Sequence, residues 1–484
     1  VGGSADGIAQ FVIVKERPQW LVSQFIIFAT IDAMSTVYPG GAYRQGLIDG
    51  WLHSTVPTQA ATSIATAKSH NGAGPWWDPL NISAPGTWGD IEHAAVMWGG
   101  WYDIFLQGNL NGYYIYQYLA QPAVRGKSFL VVDPLGHCQD ASKYFPGALG
   151  LIDGRSALGA LLSLQMVEGN GTITKPAEGV KAITFYVMGP DPSVVGKHNY
   201  RGNYWSSLDH WPDFTSTKMY LGAEGSLSST ASPTATNVSY VYDPKDPVPT
   251  LGGNNLEVQP CGPSVQNGNG TAQNVENRSD VLLHTSAPLT DDVYVTGPLK
   301  ATLFVSTSAV DTDFTAKLTD VYPDGSSHLI QDGILRMRWR EGAESATYWP
   351  SAPSLVVPHQ TYRIEVDLWN TSYVFNKGHR IRVAVSSSNA PRFKPNPNIG
   401  VDISVEDQHE PVVATNTIFY GGDRASFFEL PVVSKAQLPK KIILLDPNKP
   451  TAASKHIKPE LVRAAHQLTK FVAGTFRGAR GDHA

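Results

Sequence analysis

The stretch Val1-Gly2-Gly3-Ser4-Ala5-Asp6-Gly7, followed by the largely apolar IAQFVIV at 8–14, decides the fold. One glycine stands two residues before a lone serine and another three after it. That is the spacing of a nucleophile set on a sharp strand-to-helix turn. Such a turn is strained, and a Cβ at the flanking positions would clash. It lifts the serine hydroxyl above the sheet and leaves the next amide, that of Ala5, aimed at a developing oxyanion. Gly-Gly-Ser also occurs in ordinary loops, so the reading needs partners elsewhere in the chain.

Working outward, an α/β rhythm surrounds the turn. A helix follows Ser4, then a short apolar strand, QFIIFAT at 24–30. Residues 36–90 change character through YPGGAYRQGLIDGW, TQAATSIATA and NGAGPWWDPLNISAPGTW, which reads as a small helical and loop insertion. From 91 the rhythm returns: AAVMW as a buried strand, a helix through GNLNGYYIYQYLAQ, the strand SFLVVD, and an apolar-striped helix at 147–169. The α/β core therefore spans 1–35 and 91–175. From 176 to about 435, AITFYVM, KMYLG, KATLFVSTS, YRIEVDLW and RIRVAVSSS read as short strands between Gly, Pro, Asn and Asp turns. That texture predicts an all-β sandwich. Residues 436–484 form a polar tail with one helix near PELVRAAHQLTKFV.

A serine nucleophile needs a base, and the base needs an orienting carboxylate. In the α/β-hydrolase layout these follow as Ser, Asp or Glu, then His, each on a loop after a strand. Asp103 follows AAVMWGG and His137 follows SFLVVD, so both meet that order. Taken alone, Asp103 reads equally as a helix N-cap and His137 as a loop histidine. Trp98, Trp101 and Tyr102 suit either a pocket floor or core packing.

Composition narrows the partners. The 484 residues are 42% hydrophobic and only 16% charged, with a net charge of −5 and no basic block. Nucleic acid is not expected as a partner. No apolar run reaches membrane-spanning length. No HExxH or Cys/His ligand set occurs, so neither a catalytic metal nor another cofactor is expected. Asp311, Asp313, Asp320 and Asp324 cluster in sequence, but strand alternation and a turn account for them. Arg480-Gly481-Asp482 in the tail is read as coincidence. Six Asn-x-Ser/Thr sequons stand at Asn81, Asn170, Asn237, Asn269, Asn277 and Asn370. With only two cysteines, Cys138 and Cys261, they point to a secreted, vacuolar or lysosomal glycoprotein. The two cysteines are expected to pair, tying the His137 loop to the segment entering the sandwich.

The motifs GGSADG, GGWYDIF and DPLGHC resemble the cocaine-esterase and X-prolyl dipeptidyl-peptidase family of serine hydrolases, a group that includes α-amino-acid ester hydrolases. The second half resembles it more closely, in GPLKATLFVSTSAVDTDFTAKLTDVYPDGSSHLIQDGILRMRWRE and FNKGHRIRVAVSSSNAPRFKPNPN. The resemblance implies an α/β-hydrolase core with residues 36–90 as a small cap insertion and a C-terminal jelly-roll. It implies Ser4 as nucleophile, Asp103 as orienter, His137 as acid and base, the Ala5 amide in the oxyanion hole, and Phe105 in the acyl pocket.

Family members carry a tyrosine after the nucleophile where this chain has Ala5, and a Gly-Pro-Trp-x-His loop where it has Asp133-Pro134-Leu135-Gly136-His137. The family's second oxyanion donor, a tyrosine upstream of the elbow, has no counterpart here. An N-terminal segment completing the sheet is therefore expected as a partner, and a homo-oligomer is compatible with the sequence. The expected substrate is a small ester, amide or peptide. No Glu-Asp pair follows GGW to hold a substrate ammonium, which favours simple ester hydrolysis over dipeptidyl-peptidase or amino-acid ester hydrolase activity. A binding glycoprotein that keeps the fold without turnover is the alternative of a different class.

Overall fold

The computed structural model describes residues 1–137, 143–148, 180–196, 200–256, 261–268, 274–342 and 352–440. The expected helices at 147–169 and near 459–472, with Cys138, Asn170 and Asn269, fall wholly or mostly outside these residues.

The first half is built on one six-stranded sheet of β1 (Gly2–Gly3), β2 (Gln24–Ile27), β3 (Ala95–Gly100), β4 (Phe129–Asp133), β5 (Ile183–Val187) and β6 (Tyr204–Leu208). Strands β1 to β5 pair in parallel in chain order, and β6 closes the edge antiparallel. Strands β2 and β3 are buried along their whole length. Their near-continuous apolar sequence is that of strands covered on both faces. Helix α1 (Ala5–Val12) packs on the sheet through Phe11, and α5 (Leu106–Tyr114) through Leu110 and Tyr113.

Between β2 and β3 lie α2 (Ala33–Val37), α3 (Gln45–Thr55) and α4 (Ala60–Ser69). Met34, Val37, Tyr38, Tyr43, Ala67 and Trp77 form a small core that also takes in Ile403 from the second half. The chain between α2 and α3 presses so closely on the second half that a Cβ on Gly40 would lie 1.7 Å from the Ile334 carbonyl oxygen.

The second half is a β domain. In chain order its strands are β7 (Thr215–Leu221), β8 (Leu227–Ser228), β9 (Thr236–Tyr242), β10 (Val265–Asn267), β11 (Leu282–Thr285) and β12 (Val293–Thr307). They continue as β13 (Asp313–Val321), β14 (Ser327–Arg336), β15 (Tyr362–Phe375), β16 (Arg380–Ser386), β17 (Ala414–Tyr420) and β18 (Phe427–Val433). One sheet runs β10-β14-β13-β16-β11, and the other β8-β7-β18-β12-β17-β9 with β15 also on β12.

The boundary expected at 176 is corrected. The segment Ile183–Val187 is a strand of the first sheet, in register with Leu130–Val132, and Tyr204–Leu208 is its neighbour. All five residues of Ile183–Val187 are buried. Its apolar run belongs to a strand with two covered faces, which the turn-rich surroundings disguised.

Candidate active site

Gly3, Ile27, Trp98 and Val131 form one row across β1 to β4. The loops that carry Ser4, Asp103 and His137 leave the same, C-terminal, end of these parallel strands, which is where open α/β sheets place their sites.

Ser4 has φ 56° and ψ −126°, a strained conformation for a residue with a Cβ. Its N–H donates to the Ile27 carbonyl at 3.0 Å, and its own carbonyl accepts from Ile8 N–H at 3.0 Å. The turn depends on its glycines. A Cβ on Gly2 would lie 2.8 Å from Asp6 O, and one on Gly7 2.6 Å from the Ala29 Cβ. Ser4 is half-buried, and its Oγ makes no hydrogen bond among the described residues. Ala5 is the first residue of α1, so its N–H has no carbonyl within the helix to bond.

Asp103 is fully buried. Its Oδ1 accepts from Phe105 N–H at 2.8 Å, closing the turn ahead of the helix that begins at Leu106. Its Oδ2 accepts from the backbone N–H of His137 at 3.0 Å and is hydrogen-bonded to His137 Nδ1. The N-cap reading is corrected: the helix is capped at Phe105 without a side-chain bond, and Asp103 uses one oxygen to close the preceding turn and the other to hold His137. With Nδ1 turned to the carboxylate, Nε2 is the nitrogen left to exchange a proton. The His137 side chain is 12% exposed. Its ring sits between Phe28 at 5.7 Å and Phe105 at 5.3 Å, the latter edge-on.

Two more glycines let these loops meet. A Cβ on Gly100 would lie 1.9 Å from Leu135 O, and one on Gly136 2.5 Å from the Asp103 Cα. Phe28, with φ 45°, was not singled out by the sequence reading. Beside Phe105, Leu47 and Ile104 form an apolar cluster that Ile8, Ile48 and Leu256 extend. That wall draws on α1, α3 and the β domain together.

Trp101 and Tyr102 are corrected from pocket residues to core. Each is 1% exposed. The Trp101 indole donates to Tyr186 O at 2.7 Å and packs against Phe185 and Trp211. The Tyr102 hydroxyl donates to Leu329 O at 2.9 Å. Burial drives that phenol well above its ordinary pKa, so it remains a donor. Both side chains turn from the loop into the molecule because their polar tips find carbonyls there.

Cys261 is disulfide-bonded. Asn237 and Asn277 are exposed. Asn81 is half-buried, its side-chain oxygen accepting from Ser83 N–H at 2.7 Å, and half-buried Asn370 donates to Gln107 Oε1 at 2.7 Å. The aspartate cluster is divided among structural partners: Asp311 with Arg338, Asp313 with Arg336, Asp320 with His379 and Tyr373, and Asp324 with the Ser326 turn. No helix among the described residues is long and apolar enough to cross a membrane.

Residues 185–429, just over half of the chain, match the family model of the X-Pro dipeptidyl-peptidase C-terminal non-catalytic domain. The chain belongs to this family. It is 34% identical over 363 residues to cocaine esterase from Rhodococcus sp. (strain MB1 Bresler), a match covering 72% of the chain and 58% of that protein. The chain thus spans well under two thirds of the curated relative's length.

Among solved structures, an α-amino-acid ester hydrolase superposes with a TM-score of 0.69 at 20% identity, over 89% of this chain and 76% of the other. An aminopeptidase from a marine-sediment Thaumarchaeota archaeon gives 0.68 at 20% identity, over 90% and 76%. A CocE/NonD family hydrolase from Staphylococcus aureus gives 0.61 at 14% identity, over 90% and 71%. The family member's fold is accordingly an α/β-hydrolase core followed by a C-terminal β domain.

Proposed function

We propose that this family member is a serine hydrolase that cleaves small esters through an acyl-enzyme. The observation that carries the reading is the His137 imidazole, fixed by Asp103 at the same end of the parallel sheet as a serine held at φ 56°. Ser4 Oγ attacks the carbonyl, forming the acyl bond as its proton passes to His137 Nε2. His137 returns that proton to the departing alcohol, and Asp103 holds the imidazolium that forms between the two steps. Water then repeats the sequence to release the acid. The Ala5 N–H is one oxyanion donor, a contact typically worth about 3–4 kcal/mol of barrier. Ser4 Oγ and the imidazole close to hydrogen-bond distance when substrate is bound, as resting sites are often looser.

The apolar wall of Phe105, Leu47, Ile48 and Leu256 suits an acyl group without charge. In this reading residues 36–90 act as the cap and the β domain is a jelly-roll. The disulfide joins Cys261 to Cys138, the sequence's other cysteine. The exposed sequons Asn237 and Asn277 are the glycosylated ones, in a secreted or vacuolar protein.

The test is labelling by a fluorophosphonate probe, together with burst kinetics on a p-nitrophenyl ester. Both are expected in the wild type and absent in Ser4→Ala. Labelling that persists in Ser4→Ala rejects Ser4, and a wild type with neither signal favours a binding glycoprotein without turnover.

A further inference from the structure

The Asp103 loop is irregular backbone buried beneath the β domain, so its carbonyls need donors from elsewhere. Trp101 O accepts from Asn254 Nδ2 at 3.1 Å and from Gln331 Nε2 at 3.0 Å. Asp103 O accepts from the same Asn254 Nδ2 at 2.8 Å. Ile104 O accepts from an Arg44 guanidinium nitrogen at 2.8 Å, and the other end of that guanidinium donates to Asn254 O at 2.8 Å. Asn254 and Gln331 are both fully buried. They lie in the stretch matched by a domain described as non-catalytic.

We propose that Asn254 is a positioning residue for catalysis: the β domain reaches the strand ends and sets the backbone of the loop that presents Asp103 to His137. The proposal rests on the serine-hydrolase reading above. Both amide hydrogens of Asn254 are used, one on each carbonyl of the turn, which fixes the loop on either side of Tyr102. The orientation of the amide is dictated, because flipping it would set oxygen against two carbonyl oxygens. The side-chain Oδ1 has no hydrogen-bond partner, so the donors are what the position requires.

Asn254 is itself held tightly. Gly253 and Gly262 exchange two backbone hydrogen bonds, at 2.9 and 3.1 Å. Gly253 has φ 86°, and a Cβ there would lie 2.6 Å from Arg392, which is ion-paired to Asp332. Gly262 follows the disulfide-bonded Cys261. The hydrogen bonds run from a braced turn to a loop 151 residues away in sequence. Asp103 meets the imidazole through a single carboxylate oxygen, so a shift of the loop passes directly to the base. Misplacement of about 1 Å can cost on the order of a hundredfold in rate.

The experiment is steady-state ester hydrolysis by the full-length protein carrying Asn254→Ala, across a pH series. The expected result is a loss of about 10- to 100-fold in kcat with KM unchanged. The acidic limb of kcat/KM moves to lower pH, because an imidazolium that loses its carboxylate gives up its proton more readily. In an Asp103→Asn background the same substitution adds less than about twofold, since both act through one group.

A wild-type kcat and pH profile overturns the proposal. So does a rise in KM alone, or a loss that multiplies with that of Asp103→Asn. If Asn254→Ala does not fold, Gln331→Leu gives the same reading in the same direction, smaller because Trp101 O keeps one donor. Asn376→Ala removes a contact between the halves that bonds none of Trp101, Asp103 and His137, the Asn376 amide to Arg201 O at 3.0 Å, and is expected to leave kcat and the profile unchanged. A fall in kcat with Asn376→Ala equal to that of Asn254→Ala also overturns the proposal. Ser4→Ala separates the two readings. Full turnover in Ser4→Ala defeats the serine-hydrolase reading itself, whereas an inactive Ser4→Ala beside an unaffected Asn254→Ala defeats only the positioning.

Discussion

Among the described residues, two buried aspartates each bind the Nδ1 of a histidine, and one of the pairs lies at the end of the sheet from which the strained Ser4 leaves. Asp103 and His137 lie on loops at the end of the parallel sheet. Asp320 is inside β13 and fully buried, with His379 Nδ1 at 3.0 Å from both of its oxygens. Tyr373 donates to the same carboxylate at 2.8 Å. Burial raises the Asp320 carboxyl above its ordinary pKa, against the pull of His379 and Tyr373. Tyr322 lies against His379 at 4.8 Å and stacks on His328 at 3.9 Å. An Asp–His contact is therefore a general means of burying two polar groups. In the proposed mechanism it becomes chemical machinery where the ring keeps some exposure and lies at the same end of the sheet as a serine on a sharp turn.

The substitution with the largest expected effect cuts this contrast at the imidazole. His137→Gln is expected to lower kcat by about 10⁴-fold or more while leaving the fold intact. His379→Gln is expected to keep kcat within about twofold and to lose about 1–3 kcal/mol of stability. Parallel kinetics and denaturant titrations read both.

At the carboxylates, Asp103→Asn should cost about 10⁴-fold in kcat by favouring the wrong tautomer. Asp320→Asn should instead appear as a lower unfolding midpoint with kcat unchanged. A large rate loss from Asp320→Asn would break the distinction.

Backbone geometry gives a smaller effect. Gly136→Ala would drive a methyl into the Asp103 backbone, and is expected to cost about 1–3 kcal/mol together with at least tenfold in kcat. Gly378, beside His379, has φ 84° and open space around its Cβ position. Gly378→Ala should cost only about 1 kcal/mol, with no change in rate.

The mildest test is acidification. Burial lowers His284 and His328 to about 4. In the unfolded chain both titrate near about 6.5, so the unfolded state takes up protons first as pH falls. Their contribution is complete above that value and is lost progressively on the way down to about 4. The melting temperature should decline through this window. His328→Phe, which keeps the ring against Tyr322, should flatten the decline.

The candidate site was legible in the sequence to the extent that glycine marks close approach. Gly2 and Gly7 bracket Ser4, Gly100 precedes Asp103, and Gly136 precedes His137, each where a Cβ would strike backbone or a packed side chain. The order of the three residues along the chain supplied the rest. What supports the loops was not legible. Asn254 and Gln331 stand 151 and 230 residues from the carbonyls they bind, and no periodicity or spacing links positions so far apart. Aromatic neighbours of Asp103 misled for a related reason. Trp101 and Tyr102 hide polar tips on carbonyls of distant strands, and a local pattern cannot tell that from lining a pocket. Strand β5 was read as a strand but assigned to the β domain, because its buried run sits among turns that resemble those of that domain.

The closed turn at Gly253 and Gly262 also bears on how the protein can diversify. Because it anchors the residue that bonds the Asp103 loop, exchanging one half alone would leave amides and carbonyls across the seam unmatched. A chimera joined between β6 and β7 from two distant relatives is expected to fold, yet to turn over slowly until the turn and the loop come from the same parent.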